Sequence, residues 1–230
     1  MRLKIDDLYV EREGRTIIEG FSGEFISRSI TLLKGANGSG KSTLLAAIAG
    51  DVRLRHNIKS GEIHLNEVSL RSLTPIQAAK VRGFLQQRSD FSLAYSVREL
   101  LELVIRISRQ DSAVRSLKSL AVELDLEHLL ERSVLELSGG ERQRVSLAIT
   151  LVRETPLYLL DEPLSAQDLA HSASIARYLK KLANSGAVFI IATHESPELA
   201  EVATKEMRLE FTIPDTVTRL NYSNKANNST

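Results

Sequence analysis

The chain has 230 residues, 43% of them hydrophobic, a formal net charge of +1 and no cysteine. The length holds one or two domains, the charge balance gives no sign of a nucleic-acid binder acting through bulk electrostatics, and the lack of cysteine excludes disulfides, iron–sulfur clusters and thiolate zinc sites. No apolar run approaches the roughly 18 residues a membrane span needs, and the opening MRLKIDDLYV lacks the regions of a signal peptide, so a soluble cytoplasmic protein is expected.

The first third reads as β structure. Residues 3–10 and 15–21 are short strands with polar breaks. SITLLKG, residues 29–35, is a continuous apolar run of the kind a buried strand requires. A helix follows over KSTLLAAIAG and closes at Gly50. GEIHLNEV is predicted as one strand, TPIQAAKV as a short helix with Pro75 near its start, and GFLQQ as a brief strand. From Val97 to Leu137 the period changes to three and four residues, with no glycine or proline, and VRELLELVIRI, AVRSLKSLAVEL and LEHLLERSV read as helices. After Gly140 the α/β alternation returns. RQRVSLAITLV and IARYLKKLA are predicted helices, LYLLD and AVFIIAT buried strands. SPELAEVA opens a helix with Ser196 as N-cap and Pro197 at the first helical position, and RLEFTI is a final strand. The expected organisation is a single α/β unit with a mixed β core over 1–94 and 139–220, an inserted all-helical subdomain over 95–138, and a frayed polar tail over 221–230.

Gly35-Ala36-Asn37-Gly38-Ser39-Gly40-Lys41-Ser42 matches G-x-x-x-x-G-K-[ST], with a strand before it and a helix after. The glycines let consecutive N–H groups turn inward around a phosphate, and the helix adds its positive end. Lys41 reaches the outer phosphates and the Ser42 hydroxyl ligates Mg²⁺. Gly35, Asn37, Gly38, Ser39, Gly40, Lys41, Ser42 and Thr43 are therefore the predicted nucleotide contacts. The loop itself does not choose between adenine and guanine.

Leu157-Tyr158-Leu159-Leu160-Asp161-Glu162 is an apolar strand ending in two acids. Paired carboxylates at a buried strand end are costly unless a cation sits there, and ligands of doubly wound sheets gather at such ends. Asp161 suits the Mg²⁺ shell, and Glu162 suits the orientation of an attacking water. Ser138-Gly139-Gly140-Glu141 has the form of a capping box before a helix. A cap does not need two bare residues, whereas close approach of a phosphate does.

GANGSGKST, LSGGERQR, LYLLDEP, SAQD and ATHE occur in this order over about residues 3–210. Together they resemble the phosphate loop, signature, acidic motif, D-loop and switch histidine of the ATP-binding cassette (ABC) ATPases, a class of P-loop NTPase. The resemblance implies ATP and Mg²⁺ as ligands, and two cassettes packed head to tail, each signature closing the ATP held by the other. Ser138, Gly139 and Gly140, followed by Glu141, would then meet the partner's γ-phosphate. Gln87, in preference to the adjacent Gln86, resembles the Q-loop glutamine that senses Mg²⁺ and the membrane partner. His194 resembles the residue that bonds the γ-phosphate, and Asp168 the D-loop aspartate at the dimer interface. Asp161 would hold the metal through water, with Glu162 catalytic. The sequence departs from the family pattern at Glu141, where glutamine is frequent, and at Gln167, where leucine is usual. The adenine-stacking place falls on Arg12, with Tyr9 close by, and a planar guanidinium stacks on a base.

The implied function is an ATP-hydrolysing motor subunit of an ABC transporter, peripheral on the cytoplasmic face of the cell membrane. Its partners would be a transmembrane permease and a second cassette, in a homodimer or heterodimer, with no nucleic acid. Phe91 and Tyr95 fit a groove for the permease, with core packing an equal reading for both. The alternative is a soluble cassette ATPase acting on a ribosome or nucleic-acid complex. The loop and helical insert bear a loose likeness to bacterial import cassettes for iron chelates or cobalamin, and substrate and direction stay open.

Overall fold

A computed structural model describes residues 1–54, 56–87, 91–108, 114–212 and 217–223. Two β-sheets and a set of helices are built around one parallel run of strands. Strands β1 (Arg2–Arg12) and β2 (Arg15–Ile26) form a long hairpin. They join β4 (Ile58–Leu65) and β5 (Val68–Ser69) in an antiparallel sheet of order β2-β1-β4-β5. The second sheet has the order β10-β9-β3-β8-β7-β6. Its strands β3 (Ser29–Lys34), β6 (Arg82–Leu85), β7 (Leu157–Asp161) and β8 (Val188–Ala192) run parallel, as does β9 (Lys205–Thr212) beside β3. Strand β10 (Val217–Ser223) returns antiparallel on β9.

The continuous apolar runs of the sequence have a simple cause. The parallel sheet lies between two hydrophobic cores, so alternate residues of one strand serve different cores. Leu157, Leu159, Val188 and Ile190 join Leu33 and the antiparallel sheet on one face. Tyr158, Leu160, Phe189 and Ile191 join the helical side on the other. Every residue of β7 and β8 is buried as a result.

Helix α1 (Lys41–Ala49) follows the glycine-rich loop and ends at Gly50, whose φ of 60° lets its N–H reach the Ala46 and Ala47 carbonyls. Helix α2 (Pro75–Val81) carries a full capping box from Thr74 and Gln77. The insert contributes α3 (Val97–Ser108) and α4 (Leu117–Glu123). An antiparallel bridge between Ser96 and Ser133 ties its two ends together. Helices α5 (Gly139–Leu151), α6 (Leu169–Asn184) and α7 (Pro197–Val202) complete the chain, with Ser196 capping α7 as expected. Among the described residues no helix is long and apolar enough to cross a membrane.

Three expectations need correction. GEIHLNEV is not one strand: β4 starts at Ile58, Asn66 turns at a φ of 52°, and Val68 pairs back on Leu65. LEHLLERSV is not an α-helix but holds a one-turn 3₁₀ segment, Glu127–Leu129, and ends where a second, Val134–Glu136, begins. Asp125, at a φ of 49°, breaks the helical path, while Leu126, Leu129 and Val134 still bury their side chains. The tail does not begin at 221, because Asn221, Tyr222 and Ser223 pair with Arg208, Met207 and Glu206. Residues 224–230 lie outside the described residues.

Tyr158 links the two halves of the chain. It is fully buried, its ring stacks on Phe189 with centroids 4.8 Å apart, and its hydroxyl donates to the Arg153 carbonyl at 2.6 Å. The same oxygen accepts from the Thr155 N–H at 3.1 Å and from Arg115 Nη1 at 2.9 Å. Tyr158→Phe leaves the Thr155 N–H buried without that acceptor, so it should cost about 1–3 kcal/mol of stability. Urea unfolding checks this, and a loss under about 0.5 kcal/mol contradicts it.

Candidate functional site

The parallel register of β3, β7 and β8 brings their carboxyl ends to one edge. The glycine-rich loop leaves β3, Asp161 closes β7 with Glu162 next, and His194 follows β8. Gly35 is required by its surroundings. Any Cβ there would stand 2.5 Å from the Leu209 carbonyl and 2.6 Å from Ser39 Oγ. Gly40 is the N-cap of α1 at a φ of 91°, a conformation strained for any residue with a side chain, and it offers no side-chain cap. The first N–H groups of α1 are thus left for an anion.

Lys41 is 6% exposed, and its ammonium donates to the Gly35 and Ala36 carbonyls at 2.8 and 3.0 Å. Burial lowers its pKa, and the charges of Glu162 and Asp161 oppose that shift. Asp161 and Glu162 are buried too, and desolvation raises both pKa values. A hydrogen bond with Ser42 and the Lys41 charge partly offset it for Asp161, and His194 and Lys41 do so for Glu162. His194 Nε2 stands 3.6 Å from Glu162 Oε1, outside hydrogen-bond range. Glu162 sits at a φ of 51° with its N–H on the Ala192 carbonyl at 2.9 Å, which holds the acid against β8. Asp161 Oδ1, Glu162 Oε1 and Ser39 Oγ are buried with no hydrogen-bond partner.

Asn37, Gly38, Ser39, Gly40, Lys41, Ser42, Thr43, Gln87, Asp161, Glu162, His194 and Arg12 line one cleft of about 260 Å³. Gly35 does not line it and is linked to it through the Lys41 bond to its carbonyl. A wider neighbouring cleft of about 670 Å³ shares Arg12, Ser42, Thr43, Gln87 and Asp161. Arg12, and not Tyr9, lines both. Gln86 is held by Arg53 at 3.1 Å and lines only the wider cleft. An orphaned carboxylate oxygen beside a serine hydroxyl is the oxygen set a hard cation such as Mg²⁺ takes, so these residues fit the metal. Phe91 packs against the helical-side core, whereas Tyr95 is exposed. Residues 88–90, between Gln87 and Phe91, lie outside the described residues.

Ser138, Gly139, Gly140, Glu141 and Asp168 do not line either cleft. Ser138 caps α5 through the reciprocal box. The Glu141 N–H donates to Ser138 Oγ at 3.3 Å, and the Ser138 N–H donates to Glu141 Oε2 at 2.7 Å. Those bonds, with Arg132 at 3.2 Å, keep the Glu141 carboxyl ionised. Gly139 is exposed, and a Cβ on it would meet nothing within 4 Å. A Cβ on Gly140 would stand 2.5 Å from the Ala166 carbonyl. Asp168 caps α6, accepting from the His171 N–H at 2.9 Å. Sequence reasoning missed Gln143, whose side chain donates to the Glu162 carbonyl at 3.1 Å and fastens α5 to the acidic turn. No local pattern marks it, since a glutamine three residues beyond a glycine pair is ordinary in a helix.

Residues 18–165 match the family described as ABC transporter. The chain is 31% identical over 212 residues to the hemin import ATP-binding protein HmuV of Rhodococcus jostii (strain RHA1), covering 90% of this chain and 71% of that protein. It is 36% identical over 185 residues to the vitamin B12 import ATP-binding protein BtuD of Vibrio vulnificus (strain CMCP6), covering 76% and 72%. Among solved structures, an ATP-binding subunit of an ABC transporter superposes with a TM-score of 0.77 at 19% identity, over 96% of this chain and 90% of that one, a likeness of fold. A putative ABC transporter ATP-binding protein from Pyrococcus furiosus gives 0.70 at 27% identity, over 85% and 92%. The chain belongs to the ABC transporter family, as an ATP-binding subunit with ATPase activity.

The buried Glu162 gives a pH test on the nucleotide-free chain. Its folded-state pKa lies above its ordinary 4.5, so its contribution favours folding below that value and is lost as pH rises through the raised one. Glu162→Gln should therefore melt at higher temperature than wild type at neutral pH, with the gap closing as pH falls toward 4.5. Equal melting temperatures across that range contradict the burial cost.

Proposed function

We propose that the chain is the ATP-hydrolysing motor of a membrane importer, joined to a separate transmembrane permease at the cytoplasmic face. Two copies would enclose two ATP molecules, each bound on the loop of one copy and closed by the Ser138 helix tip of the other. The observation that carries this is the position of that tip. It is capped and exposed, yet it lines no part of the chain's own nucleotide cleft. A helix end with a bare glycine attracts anions, and the facing copy would supply one. The Ser42 hydroxyl, Asp161 and Gln87 would hold Mg²⁺, which neutralises charge on the outer phosphates when bound.

Lys41 would exchange its loop carbonyls for phosphate oxygens. Glu162, fixed against β8, would accept a hydrogen bond from the attacking water and align it with the γ-phosphate. His194, on the exposed side of Glu162, would donate to the transferred phosphoryl group. Arg12 would cover the base. Release of the products would part the two copies, and the difference in binding between joined and parted forms would drive the permease. The relatives named for hemin and vitamin B12 import support a metal tetrapyrrole as cargo.

Glu162→Gln should lower ATP turnover by about 10²–10⁴-fold and trap an ATP-dependent dimer, read by light scattering. Ser138→Arg should abolish both dimer and turnover while single-chain ATP affinity persists. A Glu162→Gln chain that stays monomeric at saturating ATP, together with Ser138→Arg activity in the permease complex, rejects the shared site.

A further inference from the structure

Gln167 breaks the expected pattern in the D-loop, and its side chain has a defined task. Its Nε2 donates to the Gly140 carbonyl at 2.9 Å, and its Oε1 accepts from Arg144 Nη1 at 3.1 Å. The two neighbours dictate the residue type. A guanidinium only donates and a carbonyl only accepts, so the bridging side chain must do both, as an amide does. Leucine makes neither bond. Glutamate keeps the Arg144 bond and sets a negative oxygen against the Gly140 carbonyl.

The bridge belongs to a closed ring of contacts. Arg144 is 6% exposed and stands 4.0 Å from Asp125 Oδ2. Asp125 meets His171 Nε2 at 2.9 Å, and His171 Nδ1 meets Asp168 at 2.8 Å. The ring thus returns to the residue after Gln167. It joins the tip of α5, the D-loop, the start of α6 and the strained turn after α4. The Ala166 carbonyl also lies so close to Gly140 that no Cβ fits between them.

We infer that Gln167 is a positioning residue that ties the D-loop to the signature tip of the same chain, so that both reach the facing copy's nucleotide as one rigid unit. Its effect on turnover rests on the two-copy site proposed above, whereas the tie itself does not.

The test compares Gln167→Leu and Gln167→Glu with wild type. In the nucleotide-free chain, amide hydrogen exchange over 139–142 and 166–168 should quicken together in both variants, with little change in α3. Steady-state turnover in the permease complex should fall roughly five- to tenfold in kcat for Gln167→Glu, the effect of one lost hydrogen bond, and at least as far for Gln167→Leu, which loses both, with KM near wild type. A role confined to stability predicts otherwise, because Gln167→Glu retains the Arg144 contact and would keep wild-type kcat. Unchanged exchange in both variants overturns the tie, whatever the number of copies in the active assembly. Quickened exchange with unchanged kcat overturns the positioning role. Activity of Ser138→Arg bears on the two-copy reading alone, and the exchange result still decides the tie.

Discussion

Burial of unlike charges at one sheet edge, without full compensation, is the constraint on which the rest depends. Lys41, Asp161 and Glu162 are all held nearly out of water, and two of the three carry oxygens with no partner. An unsatisfied buried oxygen costs about 1–3 kcal/mol, more when charged. The lysine is not paired with either acid at bonding distance, since its hydrogen bonds go to its own loop. The two cores on either side of the parallel sheet stabilise the edge that bears this cost. Glu162 adds backbone strain at positive φ. In the proposed reading, a phosphate chain with its cation would supply the missing partners.

The second half of the design is the attachment of α5. Its buried Gln143 reaches the backbone of Glu162, and its tip meets the 165–168 loop. The acidic turn and that loop are thus both fastened to α5. The helical insert reaches the same junction through Asp125. Chemistry in the cleft and geometry at the tip thus share one helix.

Much of this was legible in the sequence, and the reasons are local. The loop was readable because the positions that need positive φ are glycines at fixed spacing. Strands β7 and β8 were readable because a two-sided core removes the polar half of the alternation. Capping at Ser138 and Ser196 follows from side-chain chemistry within one turn. What failed depends on partners distant in sequence. LEHLLERSV has helical spacing, but Asp125 turns the chain and the leucines pack through single 3₁₀ turns. NYS lacks any apolar signal because β10 is held by backbone pairing to β9. Gln167 stood out only as a departure, since its two neighbours come from a helix more than twenty residues earlier. Asp168 also has a task inside its own chain, where it caps α6 and meets His171.

The cysteine-free sequence allows a direct test of the shared site. Asn37 and Ser138 are both exposed, one on the phosphate loop and the other at the signature tip. Single-cysteine versions, Asn37→Cys and Ser138→Cys, can be made in the Glu162→Gln background and mixed with a short bismaleimide. A cross-link that joins unlike chains only, and only with ATP and Mg²⁺, is the expected result. Absence of any nucleotide-dependent link between chains, with a link forming instead inside a monomer that carries both cysteines, contradicts it.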